Sequence, residues 1–483
     1  MREPLALIEQ WKLDRNGRLY GWPSIISGLL LASSSALASP VVDCGQNLLS
    51  VDAARAAIAF IGSQVRDAHV RSALDGTDAA EQRLGRLAKT VSARMTSADL
   101  ARRINAALSV DHDGHLRLEL SPASEGRCLT LPVSLNWTDD GLLVLPGGAL
   151  PAGARIESVG GRSLDELEML AAESIPHENL YWARSTFARL LPREDVLRAF
   201  GLADRNGGVE VVYETTPGVR AHERLVTSKR KPPSRSWVGF EIHADDSMGV
   251  FWLARCDPND EFFSTLAEFM RQVRERELHK VVVDLRGNPG GDASVALAVL
   301  GSLGLKVDLG FSVEVRVSEQ LLHVMPMFAP SAVAPAFQGA GLAAPAVNAH
   351  AYTIPGPMVL ALLAQRLGDH ALEVVPDRTL YLLTDGGTFS SAALFAALVR
   401  DNHLGTLVGE PTGNSVTFNG SEIEMPVPGL DYVLHLSTAR LVRPDISAGP
   451  APTLLPDLRA PQSAAALRRG QDAAIELIRV HQR

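Results

Sequence analysis

The chain has 483 residues, which is more than a typical single domain, so we expect two or three domains with sizeable cores. Its formal net charge of -9 excludes the basic surface that binding to nucleic acid or to an anionic membrane requires. The three cysteines include no C-x-x-C pair and are too few for a disulfide scaffold. They allow either one bridge with one free thiol or no bridge.

The N-terminal residues contain the three parts of an export signal. Basic residues at positions 12, 15 and 18 precede an apolar stretch over residues 25–32, and Ala-Leu-Ala at residues 36–38 fits a cleavage site. The apolar stretch is too short to cross a bilayer. We therefore predict a signal over residues 1–38, cleaved near Ala38, and a periplasmic or secreted protein that is not an integral membrane protein. A buried N-terminal helix is the alternative interpretation.

The next part of the chain changes from a helical to a strand-like pattern. Apolar residues at three- and four-residue spacing predict helices over residues 51–107. Alternating runs over residues 116–120 and 129–135 predict half-exposed strands, and shorter runs continue to a helical pattern that ends at residue 172. We expect a helical region over residues 39–122, and a β-rich domain with a basic, proline-containing linker over residues 123–235.

Beyond residue 235, strand patterns alternate with helical ones. Residues 249–253 and 279–285 predict strands, with an amphipathic helix over residues 261–277 between them. This alternation indicates an α/β domain, which we place at residues 236–483. The Ala- and Pro-rich residues 326–357 predict an irregular excursion, of the length that lids and substrate-binding loops often have.

The most informative segment presents Ser390 at the start of a helix. Residues 381–384 predict a strand, residues 385–389 a turn with the sequence Asp-Gly-Gly-Thr-Phe, and residues 390–400 an Ala-rich helix. A nucleophilic serine needs this exposed position, and the unpaired N–H of Ser391 at the helix start is suited to stabilise an oxyanion. An ordinary N-cap serine is the alternative interpretation.

A second strand-turn-helix unit occurs earlier in the chain, and its turn contains Gly290 and Gly291. Paired glycines let a carbonyl group approach the backbone without a Cβ in the way. Neither G-x-G-x-x-G nor the P-loop pattern is present, so nucleotide binding is not predicted. Two such units can place both turns at one sheet edge, where one supplies a nucleophile and the other supplies backbone donors.

Three segments and one aspartate occur in a fixed order, namely residues 283–291, 388–392 and 409–413, followed by Asp457. Their order and spacing resemble the C-terminal-processing (tail-specific) serine protease family, which includes the tricorn core protease and the retinoid-binding repeats of the retina. The resemblance covers residues 110–475.

The resemblance implies an α/β fold with a crotonase/ClpP-like catalytic core of strand-strand-helix units. It implies that Ser390 is the nucleophile and that Gly290 or Gly291, together with the N–H of Ser391, forms the oxyanion hole. Residues 151–161 resemble the second half of the family's small PDZ-like β-rich domain. The tail-binding half of that domain is missing from this sequence.

The resemblance also guides the choice of the general base. Tail-specific members use a lysine after the Gly-x-x-Thr motif, but no lysine follows Lys306 here. Tricorn-type members take the proton with a histidine from the preceding domain, and the Asp-Gly-His sequence ending at His115 resembles their motif. His115 is therefore the predicted base, with His112 as the fallback. A metal site within residues 111–115 is an alternative, but we predict neither a metal nor another cofactor.

The acid that would orient His115 has no clear counterpart in the sequence. The tricorn-type glutamate lies shortly before the late Pro-Asp motif, whereas residues 449–455 contain no acid here. Asp445 is the nearest acid in sequence, and Glu410 lies in a motif close to the predicted site. Both are candidates.

The first functional hypothesis is an exported serine endopeptidase that cleaves peptides or proteins by acyl transfer through Ser390, with His115 as base. The second is a catalytically inactive binding protein on the same fold, for an apolar ligand or a peptide. A carboxylester hydrolase ranks third because the G-x-S-x-G elbow is absent. The predicted partner is a peptide or protein substrate without nucleic acid, and the sequence leaves the oligomeric state open.

Overall fold

The computed structural model describes residues 44–76, 79–92, 95–229, 235–368, 370 and 372–481. The predicted signal over residues 1–38 and most of the predicted linker lie outside these ranges, and both remain predictions. Within the described ranges, no helix combines the length and the apolar character that a membrane crossing needs.

The N-terminal region is mainly helical, as the apolar spacing predicts. Its elements are β1 (Leu48–Leu49), α1 (Val51–Ala68), α2 (Val70–Leu74), α3 (Ala79–Thr90), β2 (Met95–Thr96), α4 (Ser97–Leu108), β3 (Arg117–Leu120) and α5 (Pro122–Glu125). Ser50 and Thr96 begin α1 and α4 as N-caps whose hydroxyls accept backbone N–H groups. The buried face of α4, which includes Leu100 and Ile104, belongs to the same apolar core as the α/β part of the chain.

A disulfide between Cys44 and Cys128 joins the start of the described chain to the segment after α5, while Cys256 is free and buried. The bridge spans a sequence separation of 84 residues. We expect Cys128→Ser to lower the free energy of unfolding by about 2–4 kcal/mol, because the uncrosslinked unfolded chain gains entropy. Urea unfolding measures the loss. A reductant should lower the midpoint of the wild type and leave that of Cys128→Ser unchanged, and an unaffected wild type would contradict the prediction.

The β-rich unit has its own sheet and its own core. The antiparallel strand order is β4-β5-β6-β8-β9, with β7 paired to β6. The elements are β4 (Leu135–Thr138), β5 (Gly141–Val144), β6 (Arg155–Val159), β7 (Arg162–Ser163), α6 (Leu164–Ser174), α7 (Leu180–Leu190), α8 (Glu194–Ala199), β8 (Gly208–Thr216) and β9 (Val219–Val226). Leu142, Ile156 and Phe187 lie in the apolar core between this sheet and the helices.

A six-stranded sheet with the order β10-β11-β12-β15-β16-β19 forms the centre of the α/β part. Its strands are parallel from β11 onward. The elements of this layer are β10 (Val238–His243), β11 (Met248–Leu253), α9 (Asp260–Glu275), β12 (Lys280–Asp284), α10 (Ser294–Ser302), β15 (Thr379–Thr384), α14 (Ser391–Asp401), β16 (Thr406–Gly409), β19 (Leu458–Arg459), α15 (Ala464–Arg468) and α16 (Ala473–Val480). The predicted α/β alternation is confirmed.

A second, antiparallel sheet has the order β14-β13-β18-β17, and β3 pairs with β18. Its remaining elements are β13 (Ser312–Arg316), α11 (Glu319–Val324), α12 (Pro330–Gly339), β14 (Ala351–Ile354), α13 (Gly356–Arg366), β17 (Phe418–Pro426) and β18 (Tyr432–Val442). Because β3 pairs with β18, the Asp-Gly-His segment that precedes β3 lies next to the α/β part of the chain.

Two predictions of secondary structure are wrong. Residues 326–357 are not an irregular excursion, because they contain α12 and β14 and lead into α13. Pro330 begins α12, and a proline in the first turn of a helix costs no hydrogen bond. Residues 129–135 do not form a strand before β4; Thr130 makes only isolated bridges with Arg193 and Ser228.

Candidate active site

Ser390 lies in the turn between β15 and α14 with φ 52° and ψ -126°. Residues with a Cβ rarely adopt this backbone conformation, which is costly unless the surroundings impose it. The side chain makes no capping hydrogen bond, whereas an N-cap serine has extended backbone and caps with its hydroxyl. Ser390 is thus the residue that precedes α14, but its hydroxyl does not cap the helix. The N–H of Ser390 is donated to Oδ1 of Asn414.

Asp385 joins two turns. The serine turn (residues 385–390) follows β15 and contains Ser390, and the glycine turn (residues 285–291) follows β12 and contains Gly290 and Gly291. Its Oδ1 accepts the N–H of Gly287 at 2.8 Å and the N–H of Gly387 at 2.9 Å. The N–H of Phe389 is donated to the carbonyl of Asn288 at 2.9 Å. Because β12 and β15 are neighbouring parallel strands, their following turns meet at one edge of the sheet. The sequence predicts this placement.

Gly290 and Gly291 have different roles in the glycine turn. The N–H of Gly290 is already donated to Oδ1 of Asn288 at 2.8 Å. A Cβ on Gly290 would lie 2.5 Å from Cβ of Ser390 and 2.8 Å from N of Ser391, so only glycine fits there. Among the described residues, the N–H groups of Gly291 and Ser391 have no hydrogen-bond partner. The geometry therefore favours Gly291, and not Gly290, as the second backbone donor.

His115 is buried, and its ring is stacked near Phe389 and Phe418 at centroid distances of 4.4 and 5.6 Å. Neither ring nitrogen has a hydrogen-bond partner within the described part of the chain. Burial lowers the pKa of His115 below its ordinary value of 6.5, while Glu422 and Asp113 act in the opposite direction. The imidazole is therefore mainly neutral near pH 7, as a general base must be.

Ser390 and His115 line one cleft of about 1640 Å³. The ring of Phe389, which precedes Ser390, contacts the imidazole and also stacks on Trp182 from α7 at 3.7 Å. No hydrogen bond joins the hydroxyl to the imidazole in this structure. Such bonds often tighten only when substrate binds. His112, the fallback base, is exposed and has left-handed backbone, with φ 47°.

Asp113 connects His115 to a second histidine that no sequence pattern indicates. Its Oδ2 is 2.8 Å from Nε2 of His69, and its Oδ1 accepts the backbone N–H of His115 at 2.8 Å. Burial opposes ionisation of Asp113, yet the hydrogen bond from His69 and the charges of both imidazoles outweigh it and lower the pKa of Asp113 to about 2. The carboxylate is therefore a fixed negative charge beside the imidazole.

Glu178, which precedes α7, also lies beside His115. An oxygen of Glu178, an oxygen of Asp113 and a nitrogen of His115 lie within 4.8 Å of one another. Both carboxyl oxygens of Glu178 are buried and have no hydrogen-bond partner among the described residues. Burial and then the charge of Asp113 raise the pKa of Glu178 well above 4.5. This shift of the pKa favours the neutral form of the Glu178 carboxyl group.

The two acids proposed from the sequence are bonded elsewhere. Oδ1 of Asp445 accepts the N–H and the hydroxyl of Ser447, and this hydrogen bonding lowers the pKa of Asp445. Glu410 lines the cleft, but its Oε1 accepts the N–H of Asp139 at 3.3 Å. Burial, helped by Asp385 and Asp139, raises the pKa of Glu410 to about 8. Neither carboxyl group contacts the imidazole of His115.

The serine turn, the neutral imidazole and the free backbone donors define the chemistry of a serine peptidase. Residues 259–459 match the model of peptidase family S41. This confirms the resemblance found in the motifs. A comparison with curated protein sequences gives no match.

Solved structures support the same fold. The chain is similar to mature CPAF, with 13% identity and a TM-score of 0.57 over 89% of this chain and 96% of that chain. CPAF complexed with lactacystin has 13% identity and a TM-score of 0.56 over 89% and 97%. The photosystem II D1 C-terminal processing protease has 16% identity and a TM-score of 0.43 over 87% and 98%. At the first two TM-scores, the similarity shows the fold.

Proposed function

We propose that this protein is an exported serine endopeptidase that cleaves peptides or proteins through Ser390, with His115 as general base. The observation that carries the proposal is the positive φ of Ser390, which holds it at the cleft next to Phe389 and the buried imidazole. The Cys44–Cys128 disulfide supports export to the periplasm or beyond, because such bonds persist mainly in oxidising compartments.

The reaction follows from these positions. His115 accepts the proton of the Ser390 hydroxyl as Oγ attacks the scissile carbonyl carbon. The N–H groups of Gly291 and Ser391 donate hydrogen bonds to the oxyanion. The imidazolium returns the proton to the leaving amine, and water activated by the same imidazole hydrolyses the acyl-enzyme. Because burial lowers the pKa of His115, the base stays unprotonated to lower pH than an exposed histidine would.

The proposal includes the finer assignment of the fold. The parallel sheet with Ser390 at the start of α14 supports a crotonase/ClpP-like core. The strands β5, β6 and β7 followed by the helix α6 support a PDZ-like assignment for the β-rich unit. Since the tail-binding half of such a domain is missing from the sequence, the substrate is proposed as a peptide or protein without a required free C-terminus.

The hypothesis of an inactive binding protein is not favoured. The family match is to peptidases. The strained backbone of Ser390 and the unpaired N–H groups of Gly291 and Ser391 reduce the stability of the fold. Catalysis requires these features, whereas binding of an apolar ligand does not.

A fluorophosphonate probe, which reacts with activated serine hydroxyls, tests the proposal. We expect it to label the purified protein once and to leave Ser390→Ala unlabelled. His115→Ala should lower the labelling rate by about 100-fold or more, because the proton acceptor is lost. Ser415→Ala, close in sequence to Asn414, is the control and should label like the wild type. A folded wild type that stays unlabelled, or a Ser390→Ala variant that labels equally, would contradict the proposed function.

A further inference from the structure

We infer that Glu178 is the acid that positions the imidazole of His115, and that the β-rich unit supplies it to an active site whose serine belongs to the α/β part. Glu178 lies between α6 and α7 of the β-rich unit. The inference rests on the proposed function. It assigns Glu178 a positioning role through His115, without contact to the substrate.

The other acids near the site are held by partners other than the imidazole of His115. Both oxygens of Asp113 are engaged, one by His69 and the other by the backbone N–H of His115. The distance from Oδ1 of Asp113 to Nδ1 of His115 is 3.9 Å, which is too long for a hydrogen bond. Asp445 and Glu410 are bonded away from the imidazole. Glu422, whose charge acts on His115 more than that of Asp113 does, is bonded to Arg117 and His435.

Glu178 is not held in this way. Its two oxygens are buried and make no hydrogen bond among the described residues, although the backbone N–H groups of Gly114 and of Glu178 itself lie near enough to oppose the rise in its pKa. Both ring nitrogens of His115 are also buried without a partner in the described part of the chain. Leaving four such atoms unpaired together is costly, and a small movement of either side chain would pair them. A neutral carboxyl group can accept the imidazole N–H with its carbonyl oxygen while its hydroxyl is donated to the Asp113 carboxylate.

The segment that carries Glu178 is anchored to the serine unit. Asn179 begins α7 as its N-cap, and its Nδ2 donates to the carbonyls of Pro452 at 2.8 Å and Thr412 at 3.3 Å. One turn later, the ring of Trp182 stacks on Phe389. These contacts hold the backbone of Glu178 in a fixed place relative to Ser390.

Asn414 provides a further link between the acid and the nucleophile. Its Oδ1 accepts the N–H of Ser390. Its side-chain amide acts to lower the pKa of Glu178, and its Nδ2 is buried without a hydrogen-bond partner among the described residues. Glu178 thus lies where the base, the serine turn and the β-rich unit meet.

A bound cation is the competing use of the same groups. Asp113, His115 and Glu178 each offer one ligand atom, and these atoms lie within 4.8 Å of one another. A cation would have to displace the hydrogen bonds that Asp113 already makes with His69 or with the backbone of His115. A chelator therefore belongs in the test.

The experiment measures the rate of fluorophosphonate labelling against pH for the wild type, Glu178→Leu and Glu178→Gln. Glu178→Leu keeps the volume but removes all hydrogen bonding, so we expect the rate to fall by about 100-fold while the thermal midpoint stays equal or rises. Glu178→Gln keeps one acceptor and one donor, so its rate near pH 7 should stay close to that of the wild type. In the wild type, ionisation of Glu178 should produce an inflection in the labelling rate at a pH above the usual pKa of a carboxyl group. The profile of Glu178→Gln should lack this inflection.

Glu173→Gln, an exposed acid at the end of α6, is the matched control and should match the wild type throughout. EDTA should leave the wild-type rate unchanged. Wild-type labelling of Glu178→Leu would overturn the inference, and so would a loss in EDTA that zinc restores. A wild type that fails to label, or labelling that survives Ser390→Ala, would instead remove the proposed function itself.

Discussion

Replacing Gly290 with alanine is expected to abolish most of the activity while the chain still folds. The added Cβ would lie 2.5 Å from Cβ of Ser390 and 2.8 Å from N of Ser391, and real Cβ atoms essentially never come this close. The glycine turn must therefore shift away from the serine turn. Since this shift misplaces the backbone donors, we expect the labelling rate to fall by about 100- to 1000-fold, the usual cost of losing an oxyanion-hole donor.

Backbone strain accompanies the steric conflict at Gly290. Its φ of 104° is a conformation that residues with a Cβ rarely adopt, so the variant should also lose stability, by about 1–3 kcal/mol. The loss in rate must therefore be measured on folded protein, with a circular dichroism melt for each variant. Activity is measured at a temperature well below the lower of the two midpoints.

Gly287→Ala is the matched control in the same turn. Gly287 also has a positive φ, of 70°, but a Cβ there would meet no atom within 4 Å. We expect a loss of stability of about 1 kcal/mol from strain alone and a labelling rate close to that of the wild type. Equal rates for the wild type and Gly290→Ala would contradict this account of the glycine turn, as would equal losses for both alanine variants.

The parts of the site that the sequence predicts are those formed by local chain geometry. A strand, a short glycine-containing turn and an Ala-rich helix predict the position of Ser390, because consecutive residues determine that conformation. The meeting of the two turns follows from the parallel pairing of β12 and β15. Both turns could therefore be located without knowledge of any distant contact.

The parts that the sequence could not predict depend on distant residues or on single rotamers. The bond between His69 and Asp113 joins residues 44 positions apart, and neither neighbouring sequence contains a signal for it. Glu178 reaches His115 only because the β-rich unit packs on the serine turn through Trp182. The choice between Gly290 and Gly291 as the oxyanion-hole donor depends on the rotamer of the Asn288 side chain, because its Oδ1 accepts the N–H of Gly290.

The error at residues 326–357 has a different physical cause. A segment rich in proline and alanine predicts an irregular chain, yet proline is favoured in the first turn of a helix, and alanine is the strongest helix former. Pro330 begins α12, and Pro335 lies inside it, where it removes one backbone hydrogen bond. Burial of Val333 and Phe337 from this helix offsets that loss.

Asp113→Asn is expected to be strongly destabilising. Asp113 has no exposed surface, and its carboxylate has the imidazole of His69 and the backbone N–H of His115 as partners. Removing one member of a buried hydrogen-bonded pair costs about 3–5 kcal/mol, because the other member is left without its partner. Urea unfolding near pH 7 measures this loss. Asp99→Asn, in a surface pair with Arg102, should cost less than about 1 kcal/mol.

The dependence of this loss on pH separates the charge of Asp113 from its packing. Its pKa is about 2 in the folded chain and 3.8 ordinarily, so the contribution of its charge is complete above the ordinary value and disappears as the pH falls through the folded value. The stability difference between the wild type and Asp113→Asn should therefore narrow as the pH falls from 3.8 to about 2. A difference that stays constant over this range would mean that the shape of the carboxyl group matters there and its charge does not.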